Sequence, residues 1–118
     1  MKISTIKELL GAQVVCGEGE LNREVYSACG SDMMSDVLAY VKDQAVLLTG
    51  LINSQVIRTA EMMDMVCIVF VRDKKPTGEM VKLAEENGLV LLATDKRLYE
   101  ACGILYSNGL VGNKVKNG

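Results

Sequence analysis

Four short apolar runs return at nearly even intervals along the chain, each followed by a segment with helical periodicity. The runs begin at residues 25, 45, 66 and 89, so their starts are 20, 21 and 23 residues apart. That spacing leaves room for one helix between successive strands. The run VCIVFV, residues 66–71, is apolar at every position, as is typical of a strand covered on both faces. These patterns predict a single α/β domain with a mostly parallel sheet of about four or five strands and helices on both faces.

Turn residues and helix signals place the remaining elements. Ser4 or Thr5 is expected to cap a first helix, with Gly11 in a left-handed position just beyond its end. The other predicted segments are strands at 13–16, 25–29, 45–49, 66–71 and 89–93, a glycine turn at 17–23, and helices at about 32–42, 54–63, 77–87 and 96–107. The inner faces of two of these helices are predicted to carry Ile52, Val56, Ala60 and Met63, and Met80, Leu83, Ala84 and Asn87. We expect one domain over residues 1–111 and a disordered tail at 112–118.

The composition argues against two large classes of partner. The formal net charge is -2 and the pI is near 5.1, so no overall positive field attracts the chain to nucleic acid or to an anionic membrane surface. Aromatic residues make up only 4% of the chain, which leaves little material for stacking on bases. The longest apolar run is far shorter than a membrane span, and the first residues lack a signal-peptide core. We therefore expect a cytoplasmic protein that binds neither nucleic acid nor membranes.

The sequence lacks the residues and motifs of the common catalytic and metal sites. It has no histidine, and its four cysteines lie in apolar segments without any C-x-x-C spacing, so we expect reduced packing residues. Neither G-x-x-x-x-G-K-[ST], nor G-x-G-x-x-G after a strand, nor G-x-S-x-G occurs. We therefore predict no metal, no cofactor and no catalytic residues.

Polar and small residues follow several of the predicted strands. In a parallel sheet, ligands bind beyond the carboxyl ends of the strands, where loops lead into helix N-termini. Four segments are expected to meet there: residues 30–32, 49–50, 72–75 and 94–96. The residues that we predict to bind a small anionic ligand are Ser31, Asp32, Thr49, Gly50, Thr94 and Asp95.

Each of these residues also has a purely structural interpretation. Ser, Thr and Asp are preferred helix caps worth about 1 kcal/mol, so the pairs at 31–32 and 94–95 could serve only as caps. The charge run at 72–75 suits either an anionic ligand or a solvated loop. Gly50, directly after a buried strand, permits close approach by a ligand or a turn with positive φ. The second Ser-Asp pair, at 35–36, is one turn into the helix and is expected to be solvated surface.

A series of short motifs runs through the chain in a fixed order. They are L-N-R-E-V at 21–25, G-S-D-M-M-S-D-V-L at 30–38, V-L-L-T-G at 46–50, VCIVFV at 66–71 and T-D-K-R-L-Y-E-A at 94–101. In this order they resemble the DRTGG domain family over about residues 1–110. The name-giving motif itself is altered. Asn22 and Arg23 stand where the family has Asp-Arg, and Tyr26, Ser27 and Ala28 occupy the place of Thr-Gly-Gly.

The resemblance implies a fold like the N-terminal domain of HPr kinase/phosphorylase, which lacks the kinase chemistry. DRTGG domains occur beside CBS domains and within phosphate acetyltransferases, which implies a regulatory role. The leading hypothesis is a non-catalytic regulatory or ligand-binding module that senses a small anionic ligand, such as a nucleotide, and works as a homodimer or with a partner enzyme.

Two alternatives remain open. One is a purely structural homodimerisation or protein-interaction domain without a ligand, suggested by the methionines at 33–34 and 62–65, because methionine adapts to irregular partner surfaces. The other is an enzyme that uses Asp32 or Asp36. A lone carboxylate is weak support for catalysis.

Overall fold

The structure is a computed structural model that describes residues 1–40 and 44–111. Its strands form one sheet in the order β1-β5-β4-β3-β2. The strands are β1 (Gln13–Cys16), β2 (Ser27–Gly30), β3 (Ala45–Thr49), β4 (Cys67–Phe70) and β5 (Val90–Ala93). Strands β2 to β5 are parallel to their neighbours, and β1 pairs antiparallel with β5 at one edge. The mostly parallel sheet predicted from the sequence is confirmed. The carboxyl ends of its four parallel strands lie along the same edge of the sheet.

Helices cover both faces of this sheet, as predicted. They are α1 (Ile3–Leu10), α2 (Met34–Tyr40), α3 (Ser54–Met62), α4 (Gly78–Glu86) and α5 (Leu98–Ser107), and a short 3₁₀ turn covers Glu18–Glu20. The apolar sides of α1 and α5 pack in one core, and those of α2, α3 and α4 pack in the other.

The central strands contribute alternate side chains to the two cores. Val46 and Leu48 face the α1/α5 core, while Leu47 between them faces the α2/α3/α4 core. All residues of β3, β4 and β5 are buried. This double coverage is the physical reason why these strands are continuous apolar runs rather than alternating ones.

The predicted cap of the first helix is wrong. Helix α1 begins at Ile3 with Lys2 as its N-cap, so Ser4 and Thr5 lie inside the helix. The N-H groups of its first residues donate to backbone carbonyls of the loop at 21–23, at 2.9 to 3.0 Å. Because this tertiary contact satisfies the free helix donors, no side-chain cap is needed at this end.

The second strand begins two residues later than predicted. Val25 is buried in the α1/α5 core, but its N-H donates to the carbonyl of Met1 at 2.8 Å rather than to the sheet. Pairing with β3 runs from Ser27 to Gly30. The apolar run at 25–29 therefore divides between an N-terminal contact and a sheet strand.

The predicted helix faces are mostly correct. Four of the predicted inner side chains are fully buried: Val56, Ala60, Met80 and Ala84. Asn87 is an error, because its side chain is exposed and its Nδ2 donates to the carbonyl of Leu83 at 2.9 Å. Gly11 and Gly88 have positive φ, 58° and 68°, beyond the ends of α1 and α4. Gly11 therefore has the left-handed conformation that was predicted for it.

The end of the predicted helix at 32–42 and the predicted tail at 112–118 reach residues outside those that the structure describes. Among the described residues, no helix has both the length and the apolar character that crossing a bilayer would require.

Candidate functional site

Asp32 connects the carboxyl ends of β2 and β3. It follows β2, and its Oδ1 accepts hydrogen bonds from the Thr49 hydroxyl at 2.9 Å and from the Gly50 N-H at 2.8 Å. The Thr49 hydroxyl also accepts from the N-H of Leu51 at 3.1 Å. These bonds hold the carboxylate across two strand ends, while its other oxygen is left with acceptor capacity. The side chain of Asp32 is 48% exposed.

Arg72 brings a positive charge to the same corner. It follows β4, and its Nη2 lies 3.9 Å from Oδ2 of Asp32, with both side chains about half exposed. The guanidinium lies against Gly50, where an added Cβ would overlap Nη2 and lie 2.9 Å from Nε. Glycine at this position is therefore needed for close approach by an arginine side chain. An ion pair this long and this exposed contributes little to stability, about 0 to 1 kcal/mol.

The backbone around Arg72 has an unusual conformation. Arg72 and Asp73 are successive residues with left-handed φ, 58° and 59°, and side chains other than glycine rarely adopt this region. Their N-H groups donate to the carbonyls of Lys96 at 2.7 Å and Thr94 at 3.0 Å. The strained turn is therefore held by the loop that follows β5, and it directs Arg72 toward Gly50 and Asp32.

Ser31 and Asp32 do not act as a matched pair of helix caps. The Ser31 hydroxyl accepts from the N-H of Met33 at 2.9 Å, which stabilises the turn before α2. Asp32 instead points to the end of the next strand. The capping interpretation therefore accounts for a local turn at Ser31 and not for the position of the Asp32 carboxylate.

Thr94 and Asp95 belong to a second group of residues. Thr94 is 3% exposed. Its hydroxyl donates to the carbonyl of Leu10 at 2.8 Å and accepts from the N-H of Lys96 at 3.3 Å. Asp95 lines a small hollow of about 220 Å³ together with Gly11, Gln13, Asp73, Lys75, Ala93 and Thr94. Among the hydrogen bonds of residues 1–40 and 44–111, none joins Thr94 or Asp95 directly to Asp32.

Of the six predicted site residues, the structure therefore joins Asp32, Thr49 and Gly50 directly. Ser31 lies next to them in the chain. The predicted residue list omits Arg72, although the charge run at 72–75 was among the segments expected at this edge. The sequence feature that could have identified Arg72 is its position as a basic residue directly after the central buried strand.

The arrangement offers recognition groups rather than a nucleophile with a base. Thr49 is fully buried and its hydroxyl is already bonded on both sides, so it positions Asp32. All four cysteines are free. Burial raises the pKa of every thiol above its ordinary value, which disfavours the nucleophilic thiolate at Cys16, Cys29, Cys67 and Cys102. The described part of the chain has no cluster of three or more His, Cys, Asp or Glu residues placed to hold a metal ion.

The fold is thus a single-sheet α/β domain with a polar cluster at the carboxyl ends of its strands. Over residues 5–107 the sequence matches the model of the DRTGG domain. Since this match spans most of the chain, the protein belongs to the DRTGG domain family, and the resemblance seen in the sequence is confirmed. No curated protein matches the sequence.

A solved structure shares the fold. It contains the CBS and DRTGG domains of the regulatory region of the Clostridium perfringens pyrophosphatase, complexed with an activator, diadenosine tetraphosphate. The TM-score is 0.73 at 14% sequence identity, and the alignment covers 88% of this chain and 45% of that chain. This chain therefore corresponds to less than half of the pyrophosphatase regulatory chain. At this identity the likeness shows a common fold.

Proposed function

We propose that this protein is a non-catalytic regulatory module that binds a small anionic ligand, such as a nucleotide, and thereby controls a partner enzyme. The observation that carries the proposal is the corner formed by Asp32, Gly50 and Arg72. There a fixed, half-exposed carboxylate lies beside a half-exposed guanidinium at the carboxyl ends of three parallel strands.

The two charged groups have complementary roles in this proposal. A carboxylate accepts hydrogen bonds from ligand hydroxyls, as acidic residues do for ribose in other α/β folds. A guanidinium presents several donors in one plane, which suits phosphate. A ligand with both hydroxyl and phosphate groups would engage Asp32 and Arg72 together. Ser31 and Gly50 line the approach, and Thr49 keeps the carboxylate in place.

Of the second group, the exposed Asp95 would contact a longer ligand, while the buried Thr94 would hold the loop after β5 in place. The turn at Arg72 and Asp73 is bonded to the loop after β5, so the Asp32 corner and the hollow beside Asp95 share one backbone connection. The regulatory role is supported by family membership and by the shared fold of a regulatory region that was solved with a nucleotide activator.

The test is isothermal titration with a panel of nucleotides and phosphorylated metabolites. Micromolar or tighter binding is expected for at least one nucleotide. Asp32→Asn should weaken it about tenfold or more, because a hydrogen bond to a charged group is worth about 1.5 to 3 kcal/mol. Arg72→Ala should weaken it similarly and reduce its salt dependence.

Matched controls exist for both substitutions. Asp36→Asn removes another exposed carboxylate close by in the chain, and Arg58→Ala removes an exposed arginine from α3. Both should leave the affinity unchanged. If no ligand in the panel binds, or if Asp36→Asn weakens binding as much as Asp32→Asn, the proposed corner is wrong.

An enzyme that uses Asp32 is less well supported than a binding module. The hydroxyl that contacts the carboxylate belongs to a fully buried threonine, so no reachable nucleophile accompanies the acid. Turnover in a broad phosphatase or kinase screen, lost in Asp32→Asn, would favour the enzyme instead.

A further inference from the structure

A hollow of about 340 Å³ lies at the opposite edge of the sheet from the Asp32 corner. It is lined by residues that lead into β3, β4 and β5, including Gln44, Val66 and Leu89, at the amino ends of these strands. Its volume is near the lower end of the range for small-molecule pockets, about 300 to 1,000 Å³. This hollow, called here the amino-end hollow, therefore has room for a small metabolite.

Three charged side chains of both signs line the amino-end hollow. Arg23 is half-buried, while Glu61 and Asp64 are exposed. Among residues 1–40 and 44–111, no ion pair joins the guanidinium of Arg23 to either carboxylate. Opposite charges that line one hollow without pairing leave space between them for a molecule that carries the complementary charges.

The guanidinium of Arg23 is held in place while most of its donors stay available. Its Nη1 donates to the carbonyl of Gly88 at 2.9 Å, and the side chain makes no other hydrogen bond within the described part of the chain. The backbone is fixed as well, because the N-H of Arg23 donates to the carbonyl of Glu20 and its carbonyl accepts from the N-H of Ile3. The unused Nε and Nη2 form an edge with two parallel donors, which suits a carboxylate.

The two carboxylates lie at the C-terminal end of α3. The N-H of Asp64 donates to the carbonyl of Glu61 at 3.1 Å, and the carbonyl of Asp64 accepts from the N-H of Gln44 at 2.9 Å. Asp64 and Gln44 both have left-handed φ, 52° and 58°, so two tight turns form this side of the hollow. The end of α3 adds partial negative charge from its last carbonyls. This side of the hollow therefore favours a cation.

The charge pattern selects for a ligand that carries both signs. A simple anion attracted to Arg23 would be repelled by Glu61 and Asp64, and a simple cation would be repelled by Arg23. A small molecule with a carboxylate at one end and an ammonium group close by matches all three side chains.

We propose that the amino-end hollow binds a free α-amino acid, with the ligand carboxylate on Arg23 and the ligand ammonium group on Glu61 and Asp64. The amide side chains of Gln44 and Asn87 also line the hollow and offer polar contacts. The site is separate from the proposed function of the Asp32 corner, since it uses neither Asp32 nor Arg72 and lies at the other edge of the sheet.

Isothermal titration of the full chain with each of the standard protein amino acids tests the proposal. At least one should bind with a dissociation constant between about 10 µM and 1 mM, the range expected for so small a ligand. The N-acetyl form and the methyl ester of that amino acid should each bind at least about tenfold more weakly, because each lacks one of the two charges. Absence of binding up to about 10 mM would overturn the proposal.

Asp64→Asn removes one charge from the hollow and keeps the turn, because asparagine also adopts the left-handed conformation. It should weaken binding at least about tenfold, and Arg23→Gln should do the same. Asp36→Asn and Arg58→Gln, at exposed residues outside the hollow, are the matched controls and should leave the affinity unchanged. Wild-type affinity in Asp64→Asn would show that the amino acid binds elsewhere and would overturn the proposal.

Amide chemical shifts of the labelled wild-type chain locate the site without any substitution, which matters because Arg23→Gln also removes the bond to Gly88. The largest shifts on titration with the amino acid should occur at Gln44, Asp64 and Leu89, with little change at Gly50. The largest shifts at Gly50 instead would place the amino acid at the Asp32 corner and overturn this proposal. A nucleotide that binds at the Asp32 corner should leave the shifts of Gln44 and Asp64 unchanged, so the two proposed sites stand or fall separately.

Discussion

Cys67 is the most deeply buried titratable group among the described residues. It lies at the start of β4 in the α1/α5 core and is fully shielded from solvent. Loss of hydration raises the pKa of its thiol far above the ordinary value of 9.0. The folded protein therefore keeps this proton at pH values where the unfolded chain releases it.

This difference makes stability depend on pH in one direction. The contribution of the protonated thiol is fully present below about pH 9 and is lost as the pH rises above the unfolded value. Each further pH unit should cost about 1.4 kcal/mol of unfolding free energy from this group. The free energy of unfolding can be measured by urea denaturation at pH 8.5, 9.5 and 10.5. Its decline with pH should be shallower in Cys67→Ala than in the wild type by about this amount.

Cys29 provides the control for this prediction. Burial also raises the pKa of Cys29, but that side chain is only partly shielded. Cys29→Ala should therefore change the slope less than Cys67→Ala does. Equal slopes in the wild type and Cys67→Ala would show that the thiol is not shielded in the folded protein.

Helix α4 illustrates how a side-chain cap contributes to one element. Its N-cap is Thr77, whose hydroxyl accepts from the N-H of Met80 at 3.2 Å. Thr77→Ala should lower the free energy of unfolding by about 1 kcal/mol, while Thr77→Ser should retain most of it. Thr5→Ala is the informative comparison, because Thr5 is an exposed residue inside α1. Chemical denaturation should show almost no loss there, and equal losses in the two alanine variants would contradict these cap assignments.

The elements were predictable to the extent that their signals are local. The continuous run at 66–71 and the helix predicted at about 77–87 each depend on neighbouring residues, so their positions follow from the sequence. The start of α1 did not follow from the sequence, because its free N-H groups bond to a loop about 20 residues away. The contact of Thr94 was unpredictable for the same reason, because its hydroxyl donates to the carbonyl of Leu10, 84 residues earlier in the chain.

The candidate site shows the same division. Its general location followed from the rule that loops at the carboxyl ends of parallel strands converge. The grouping within it did not, because it depends on which loops bond to one another. Arg72 reaches Gly50 through a turn of two successive left-handed residues, Arg72 and Asp73, and no glycine marks this turn in the sequence.

The two cores share one sheet, and this bears on how the whole molecule unfolds. Leu91 and Leu92 are consecutive residues of β5, both fully buried, and they point into opposite cores. Each strand of the parallel sheet therefore belongs to both cores. Loss of packing on one face should destabilise the strands on which the other face depends.

Leu91→Ala and Leu92→Ala should therefore act on a single unfolding transition. Each should lower the free energy of unfolding by about 2 to 5 kcal/mol, with the denaturant slope unchanged. Far-ultraviolet circular dichroism follows all the helices, and tyrosine fluorescence follows the surroundings of the four tyrosines, two of which, Tyr99 and Tyr106, lie on α5. The two signals should give the same midpoint in each variant, and Leu38→Ala, at a side chain 44% exposed, should lie close to wild type. If the two signals give different midpoints in Leu92→Ala, the molecule unfolds in more than one step, and the sheet does not couple the two cores.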